Sequence, residues 1–378
     1  MRQIGQGRAT SARVLVTGAG TGATNNLVRS LRTSDPGLVV VGCHDDPFLL
    51  KKSTADRNFL VSRRSDARFI ESLGRVIEQA AADLVIPTTD PDVRAIGEFR
   101  DQLRCRTFLP QKPAIELCQD KYELTTFLRS RGIPAPRTCA VTDLDSIGGL
   151  VARLGHGGRL WCRIRTGAGS RGATPVTSVA EARAWVSYWE AMRAVPPSAF
   201  TLSEYLPGRD FACQSLWKDG RLVLIKTTER IAYFGGAGTP SGVSSIGAVH
   251  KTVREPRVAE VSAAAVRALD DHASGAFSVD LKEDGAGVPC VTEINVGRLL
   301  SGTTIFDLTG RHNMAATYVR LALDEPVAID DPYDVVPDHY MVRDLDTLPD
   351  VFHGDTLFDG IEDARVAHPE RRPDGQLT

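Results

Sequence analysis

Val291-Thr292-Glu293-Ile294-Asn295 carries a carboxylate and a carboxamide two residues apart in a β-prone run. Side chains two apart on a strand share one face, so Glu293 and Asn295 present their oxygens together. Oxygen is the ligand type that hard cations such as Mg²⁺ require. Upstream, Phe277-Ser278-Val279-Asp280-Leu281 places another carboxylate in a strand-like setting, and Lys282-Glu283-Asp284-Gly285-Ala286-Gly287 between them reads as a hairpin turn. Pairing the two runs brings Asp280 beside Glu293 and Asn295. An oxygen-lined metal site of this kind usually accompanies a phosphate-bearing substrate. Taken alone, the same run also reads as a solvated sheet edge.

At 378 residues the chain has room for two or three domains with well-buried cores. A net charge of −2 argues against a broad nucleic-acid or membrane footprint. The seven cysteines, from Cys43 to Cys290, are odd in number, dispersed and without CxxC spacing. Such a set reads as reduced, buried thiols and not as zinc ligands. No apolar run reaches the length of a membrane span. Met1 to Ala12 is polar with two arginines and lacks the apolar centre of a signal peptide, so 1–12 is expected to be a flexible leader and the protein cytoplasmic.

Arg13-Val14-Leu15-Val16-Thr17 is a short apolar β run ending in Gly18-Ala19-Gly20-Thr21-Gly22, followed by a helical pattern with Leu27, Val28 and Leu31 on one face. Leu38 to Gly42 and Leu84 to Pro87 are further strand candidates, with a helix predicted over Asp66 to Ala82 between them. Alternating apolar runs and helices predict a parallel, doubly wound α/β sheet over about the first 110 residues. After Leu109-Pro110 a single helix is predicted from Ala114 to Arg131, closed by Gly132-Ile133-Pro134-Ala135-Pro136. From Leu150 to Leu323 strands and helices mix with glycine-rich loops, as in an α+β fold. The Asp- and Pro-rich tail is expected to end in a disordered dozen residues.

Two further constellations carry chemistry. Leu160-Trp161-Cys162-Arg163-Ile164-Arg165 is a basic strand that feeds Thr166-Gly167-Ala168-Gly169-Ser170-Arg171-Gly172. Glycines let backbone N–H groups approach phosphate oxygens while the arginines bring charge. A surface hairpin with a glycine-rich turn has the same texture. Glu204-Tyr205-Leu206-Pro207-Gly208-Arg209-Asp210 ends an apolar segment at a Pro-Gly turn. In a nucleotide cleft its backbone reads an adenine edge and Asp210 accepts from ribose hydroxyls; outside one, Asp210 is an exposed residue after a turn.

In this order, from Asp120-Lys121 through Arg163 and its glycine loop, Glu204 to Asp210, Asp280, and Glu293-Ile294-Asn295, the chain resembles the ATP-grasp superfamily over about Ala114 to Leu323. The branch it is most similar to is that of the carbamoyl phosphate synthase large subunit. The earlier segment, with Gly18 to Asn26 and Ile86-Pro87-Thr88-Thr89-Asp90, resembles the pre-ATP-grasp domain of that branch. The resemblance implies a Rossmann-like domain over 13–112, an ATP-grasp fold of two α+β subdomains over 113–200 and 201–330, and an extension over 331–378. It implies that Lys121 and Arg163 contact ATP phosphates under a mobile loop containing Gly169, Ser170, Arg171 and Gly172. Glu204, Tyr205 and Leu206 would hold adenine, and Asp210 the ribose. Asp280, Glu293 and Asn295 would bind Mg²⁺, or Mn²⁺, bridging the phosphates.

Arg298 would stabilise the transferred phosphoryl group and the acyl-phosphate. Its spacing departs from the family's Glu-x-Asn-Pro-Arg, because Val296-Gly297 replaces the proline and adds one residue. Arg163 stands where many relatives have lysine, which keeps the charge and changes the geometry. Gly235 to Gly242 reads as a lid, with Arg230 before it as a bidentate ligand for a substrate carboxylate or as a solvated surface residue. His250 is expected to be structural, and Tyr233 and Phe234 to pack the loop's base.

The implied activity is an ATP-dependent ligase that activates a carboxylate as an acyl-phosphate and couples it to an amine. Its partners would be small-molecule carboxylates and amines, with a homodimer allowed. One alternative is a carbamate- or carboxylate-phosphorylating enzyme resembling half of a carbamoyl phosphate synthase. A distant one is a dinucleotide-dependent oxidoreductase built on Gly18-Ala19-Gly20-Thr21-Gly22 and Asp45.

Overall fold

Apolar runs of three to six residues, with no polar alternation, suit strands covered on both faces. The computed structural model describes residues 12–155, 158–343 and 358–365. In its first unit β1 (Arg13–Thr17), β2 (Val39–His44), β3 (Arg57–Leu60), β4 (Leu84–Ile86) and β5 (Arg106–Thr107) form a parallel sheet in the order β3-β2-β1-β4-β5. Val14, Leu15, Val16, Val40, Leu84, Val85 and Ile86 are fully buried in it. The strands are linked by α1 (Gly22–Ser34), α2 (Pro47–Leu50), α3 (Phe69–Ala80) and α4 (Asp90–Glu98). β3 had no sequence signal, because Arg57-Asn58-Phe59-Leu60 is half polar.

The second unit begins at Phe108. The single helix expected over Ala114 to Arg131 is two, α5 (Lys112–Gln119) and α6 (Lys121–Ser130). Asp120 leaves helical geometry at φ −110° and ψ 107°, and its carboxylate caps α6 by accepting from the Tyr122 and Glu123 N–H groups (3.0 and 3.2 Å). Next come β6 (Thr138–Ala140), α7 (Ser146–Leu154), β7 (Leu160–Ile164), β8 (Thr174–Val176), α8 (Val179–Arg193) and β9 (Phe200–Glu204). Their four-stranded antiparallel sheet has the order β6-β9-β7-β8. Leu160, Cys162 and Ile164 of β7 point into a core shared with Ile147 and Leu154 of α7 and Ala182 and Val186 of α8. Trp161 and Arg163 alternate to the opposite face.

A six-stranded antiparallel sheet follows, built from β10 (Asp210–Lys218), β11 (Arg221–Tyr233), β12 (Gly247–Thr252), β13 (Gly275–Glu283), β14 (Pro289–Val296) and β15 (Tyr340–Val342) in the order β14-β13-β10-β11-β12-β15. Strand alternation divides its two faces. Phe211, Cys213, Phe277, Val279, Leu281 and Ile294 are buried on one side, where Cys213 meets Ser262 of α9 (Pro256–Leu269). The other side gathers polar residues from five strands. The chain is completed by α10 (Ser301–Phe306), α11 (Met314–Ala322) and β16 (Ile361–Asp363).

The segment expected as one extension over 331–378 is shared between the units. β15 belongs to the second, whereas β16 pairs parallel with β3 of the first, where the Arg57 guanidinium binds Glu362 (2.6 Å). The expected leader up to residue 11 and the end of the chain from 366 lie outside the described residues.

Candidate active site

The hairpin of β13 and β14 sets Asp280 directly opposite Glu293 and Ser278 opposite Asn295, so all four share the polar face. Thr292 is the extra residue of a bulge there. The next strands continue the face with Asp210, Ala212 and Gln214 of β10, then Arg230, Thr228 and Lys226 of β11, then His250 and Thr252 of β12.

Arg230 lies across the middle of this face. It donates from Nη2 to Asp280 Oδ1 (2.5 Å) and from Nη1 to Asp210 Oδ1 (3.2 Å). Asp210 also accepts from the Tyr233 hydroxyl (2.8 Å), and Lys282 Nζ stands 3.7 Å away. Asn295 links two groups: its Nδ2 donates to Asp280 Oδ2 (3.4 Å) and its Oδ1 accepts from Arg298 Nη2 (2.5 Å). Two cations approach from the opposite wall, Lys121 from the start of α6 and Arg163 from β7 of the four-stranded sheet. Lys121 Nζ and Arg163 Nη1 lie 3.6 and 3.8 Å from Glu293 Oε2. Arg163 Nη2 also donates to the Thr292 carbonyl (2.8 Å) and Lys121 Nζ to the Gly167 carbonyl (2.6 Å). Lys121 is held there by the helix break. Its N–H donates to the Arg165 carbonyl (3.1 Å), and the Arg165 guanidinium clasps the Asp120 carboxylate (2.6 Å).

Burial pushes the Asp280 carboxyl above the usual carboxylate range, with Arg230 pulling it back in part. Burial likewise pulls Arg163 below the ordinary arginine value, against Glu293 and Asp280. For Arg230 the desolvation is outweighed by Asp280 and Asp210, which leave it firmly cationic. His250 is held at about 3 by burial and by the charges of Arg230 and Arg343, so it is neutral.

Of the residues singled out in the sequence, Lys121, Arg163, Asp210, Arg230, Asp280, Glu293, Asn295 and Arg298 meet in this cluster. Others lie apart from it. The Glu204 carboxylate is taken by the Arg137 backbone N–H (2.8 Å) and by its guanidinium. Tyr205 has the Arg159 guanidinium over its ring at 5.0 Å, and Leu206 is buried. Gly169 and Ser170 lie in a loop whose Gly167–Gly169 stretch is exposed, and Arg171 rests on Trp189 of α8, 5.6 Å from the ring centre. Asp210 lies under Arg230 and Tyr233, and Arg230, 12% exposed, is enclosed between Asp210 and Asp280. Tyr233, expected to pack the loop's base, is a polar member of the cluster. Lys282 was missed, although the alternation that paired Glu293 with Asn295 puts it on the face of Asp280.

No protein-family model matches the sequence, and no curated protein matches it. Solved structures do resemble the fold. A biotin carboxylase–β,γ-ATP complex from Campylobacter jejuni superposes with a TM-score of 0.67 at 13% identity, over 87% of this chain and 74% of that one. An L-amino acid ligase from Bacillus licheniformis gives 0.61 at 16%, over 83% and 74%. An N5-carboxyaminoimidazole synthetase from Staphylococcus aureus complexed with ADP gives 0.64 at 14%, over 86% and 80%. The chain has the ATP-grasp fold.

Within the ATP-grasp fold the cluster can be tested for the metal and nucleotide that the sequence resemblance implied. Among the described residues no three His, Cys, Asp or Glu side chains gather as a dedicated metal cage. Asp280, Glu293 and Asn295 offer instead two carboxylates and an amide, a sparse oxygen set of the kind Mg²⁺ completes with phosphates and water. Among the described residues Lys121, Arg163, Arg230, Lys282 and Arg298 stand on or against this face with the carboxylates of Asp210, Asp280 and Glu293, a balance that favours an anionic guest. Arg163 Nε, Ser278 Oγ and His250 Nδ1 are buried without a protein partner on or beside this face. Unsatisfied buried polar atoms call for a ligand or ordered water. These residues fit the group. The dinucleotide alternative finds no support in the similar structures. Gly20, whose bare backbone would approach a pyrophosphate, is packed on the chain's own Leu49 carbonyl, 1.7 Å from where a Cβ would stand.

Among the described residues no helix is long and apolar enough to cross a membrane. No disulfide joins the seven cysteines, and burial pushes Cys162 and Cys213 up to about 12, which closes thiolate chemistry to them.

Proposed function

We propose that this chain is an ATP-dependent ligase that phosphorylates a small carboxylic acid and joins the acyl group to an amine, releasing ADP and phosphate. The observation that carries the reading is the convergence on Glu293. Lys121 approaches it from the start of α6 and Arg163 from β7, Asp280 and Asn295 flank it on the six-stranded sheet, and among the described side chains named above the surplus charge is positive. The names of the similar structures, a biotin carboxylase, an amino acid ligase and a carboxyaminoimidazole synthetase, support the same class of reaction.

Lys121 and Arg163 bind phosphate oxygens, exchanging their contacts to Glu293 and Gly167 for them. Asp280, Glu293 and Asn295 would hold Mg²⁺, which would supply neutralisation of phosphate charge. An oxygen of the substrate carboxylate attacks the γ-phosphorus as the bond to ADP breaks. The amine then adds to the acyl carbon, phosphate departs with the C–O electron pair, and the nitrogen loses a proton. Arg298, fixed by Asn295, orients its guanidinium toward the oxygens that gain charge in both steps. No side chain forms a covalent bond, so catalysis is positioning plus charge stabilisation.

The test is ADP release across pairs of carboxylic acids and amines with Mg²⁺, bicarbonate included, followed by mass spectrometry of each active pair. Glu293→Ala should bring release to background. Retained turnover in that variant would refute the metal assignment. A stable phosphorylated product in the ³¹P NMR spectrum, with no amide, would replace the ligase reading by a phosphorylating one.

A further inference from the structure

We propose that Trp189 is a positioning residue that parks the glycine loop away from the phosphates by stacking on Arg171, so that nucleotide must draw Arg171 off this ring to bind. The nucleotide in this proposal rests on the function proposed above.

The loop leaves β7 and returns as β8, and its two ends are fastened differently. At its start Thr166 bridges to Asp120, and the Gly167 carbonyl accepts from Lys121 Nζ. At its end Gly172 has φ +67°, and an added Cβ would stand 2.7 Å from Ile164 Cδ1, while its carbonyl accepts from Trp185 Nε1 (2.9 Å). The residue before this fixed hinge is Arg171. Ser170, at φ +53°, turns the chain in a conformation that non-glycine residues adopt rarely. The Arg171 guanidinium then lies over the ring of Trp189 on α8.

That side chain points the wrong way for catalysis. α8 packs against Leu160, Cys162 and Ile164, whereas Arg163 alternates to the other face and reaches Thr292 and Glu293. Arg171 is therefore held on the face of the four-stranded sheet opposite to the charge cluster. A guanidinium has no acceptor to offer the indole N–H, so the ring of Trp189 is what the arginine meets, at 5.6 Å from its centre. A guanidinium over an indole in a partly exposed position shifts a two-state population by a factor of roughly 2–5. A parked loop lowers the apparent nucleotide affinity by the same factor.

The full chain is titrated with MgADP by calorimetry as wild type, Trp189→Leu, Trp189→Phe, Arg171→Ala and the Trp189→Leu/Arg171→Ala double variant. Trp189→Leu is expected to bind about 2–5-fold tighter, with Trp189→Phe in between. In the Arg171→Ala background Trp189→Leu should change nothing. A merely structural tryptophan would weaken binding in both backgrounds, and either that result or unchanged affinity in the wild-type background overturns the proposal. Limited trypsin cleavage after Arg171 gives a nucleotide-free measure. Parking protects this bond, so Trp189→Leu should be cut about 2–5-fold faster there; an equal rate overturns the proposal. Failure of the wild type to bind MgADP would sink the ATP reading alone, and the trypsin rates would still decide the parking.

Discussion

Arg230→Leu separates an arginine that binds substrate from one that holds the sheet face together. The wild-type guanidinium is 12% exposed and bonds two carboxylates, Asp210 at 19% and Asp280 at 22% exposure. Removing it leaves those carboxylates on adjacent strands with Tyr233, Asn295 and Lys282 as their remaining partners. Breaking a buried ion pair from one side costs about 3–5 kcal/mol, because the remaining charge is stranded. The residual exposure of both acids and the nearby Lys282 put this case at the low end, about 3 kcal/mol. For a unit of this size that corresponds to a fall in Tm of about 6–12 °C. The assay is thermal unfolding followed by circular dichroism and by the fluorescence of Trp217, which is fully buried on β10 of the same sheet. Because the cost is the stranded charge, Arg230→Leu/Asp280→Asn should recover a large part of the loss. The pH dependence has a definite sign. Burial already raises the folded pKa of Asp280, and without Arg230 it rises further. A carboxyl with a raised folded pKa favours the fold below its unfolded pKa and loses that contribution as pH climbs. The gap between variant and wild type should therefore narrow from pH 7 toward pH 4. A Tm change under about 2 °C, accompanied by a higher KM for the acid, would refute the clamp and restore the substrate role.

Asp120 combines a helix cap with an ion pair, and two substitutions separate them. Asp120→Asn keeps the cap on α6 and loses the pair to Arg165, so its cost should stay below that of Asp120→Ala, about 1–2 kcal/mol by urea unfolding; equal costs would deny the cap. His250 is neutral in the fold at about 3 and ordinary, near 6.5, when unfolded. Its stabilising contribution is complete above pH 6.5 and lost as pH falls toward 3, on the order of 5 kcal/mol in all. His250→Gln should flatten the acid limb of the stability curve, and an unaltered limb would show that the imidazole is not buried beside Arg230 and Arg343.

What the sequence revealed depended on period. Glu293, Asn295 and Asp280 were legible because a two-residue repeat and one hairpin suffice to bring them together. The parallel sheet of the first unit was legible because β1, β2 and β4 are uninterrupted apolar runs. The division of α5 from α6 was not, since Asp120 sits within a continuous helical pattern and only its pairing with Arg165 and Thr166, 45 and 46 residues away, makes the break visible. β16 was hidden for a related reason. A three-residue strand of Ile361-Glu362-Asp363 has no period, and Arg57 supplies the charge that seats it. Asp210 was read as lying after a turn and Arg230 as lying before a loop, whereas they face each other on β10 and β11, because burial on a polar face is set by five strands at once.

The clustering also explains how such a site tolerates its own charge before any substrate arrives. Each carboxylate is held by a cation: Asp280 and Asp210 by Arg230, Glu293 by Lys121 and Arg163. In the function proposed above, binding of a metal–nucleotide complex would be an exchange of partners, in which the carboxylates would pass to the metal and the cations to phosphate oxygens. Little new charge is buried, so the desolvation cost that defeats most buried ion pairs is met in advance by the fold. The one-residue insertion before Arg298 fits this scheme. Gly297 turns at φ +70° and its N–H still donates to the Ala276 carbonyl (2.7 Å), a bond that proline cannot make. The extra residue is taken up in the sheet's last hydrogen bond, and Arg298 still reaches Asn295. Lengthening the segment therefore changes the route of the chain and keeps the guanidinium beside the amide that bridges it to Asp280.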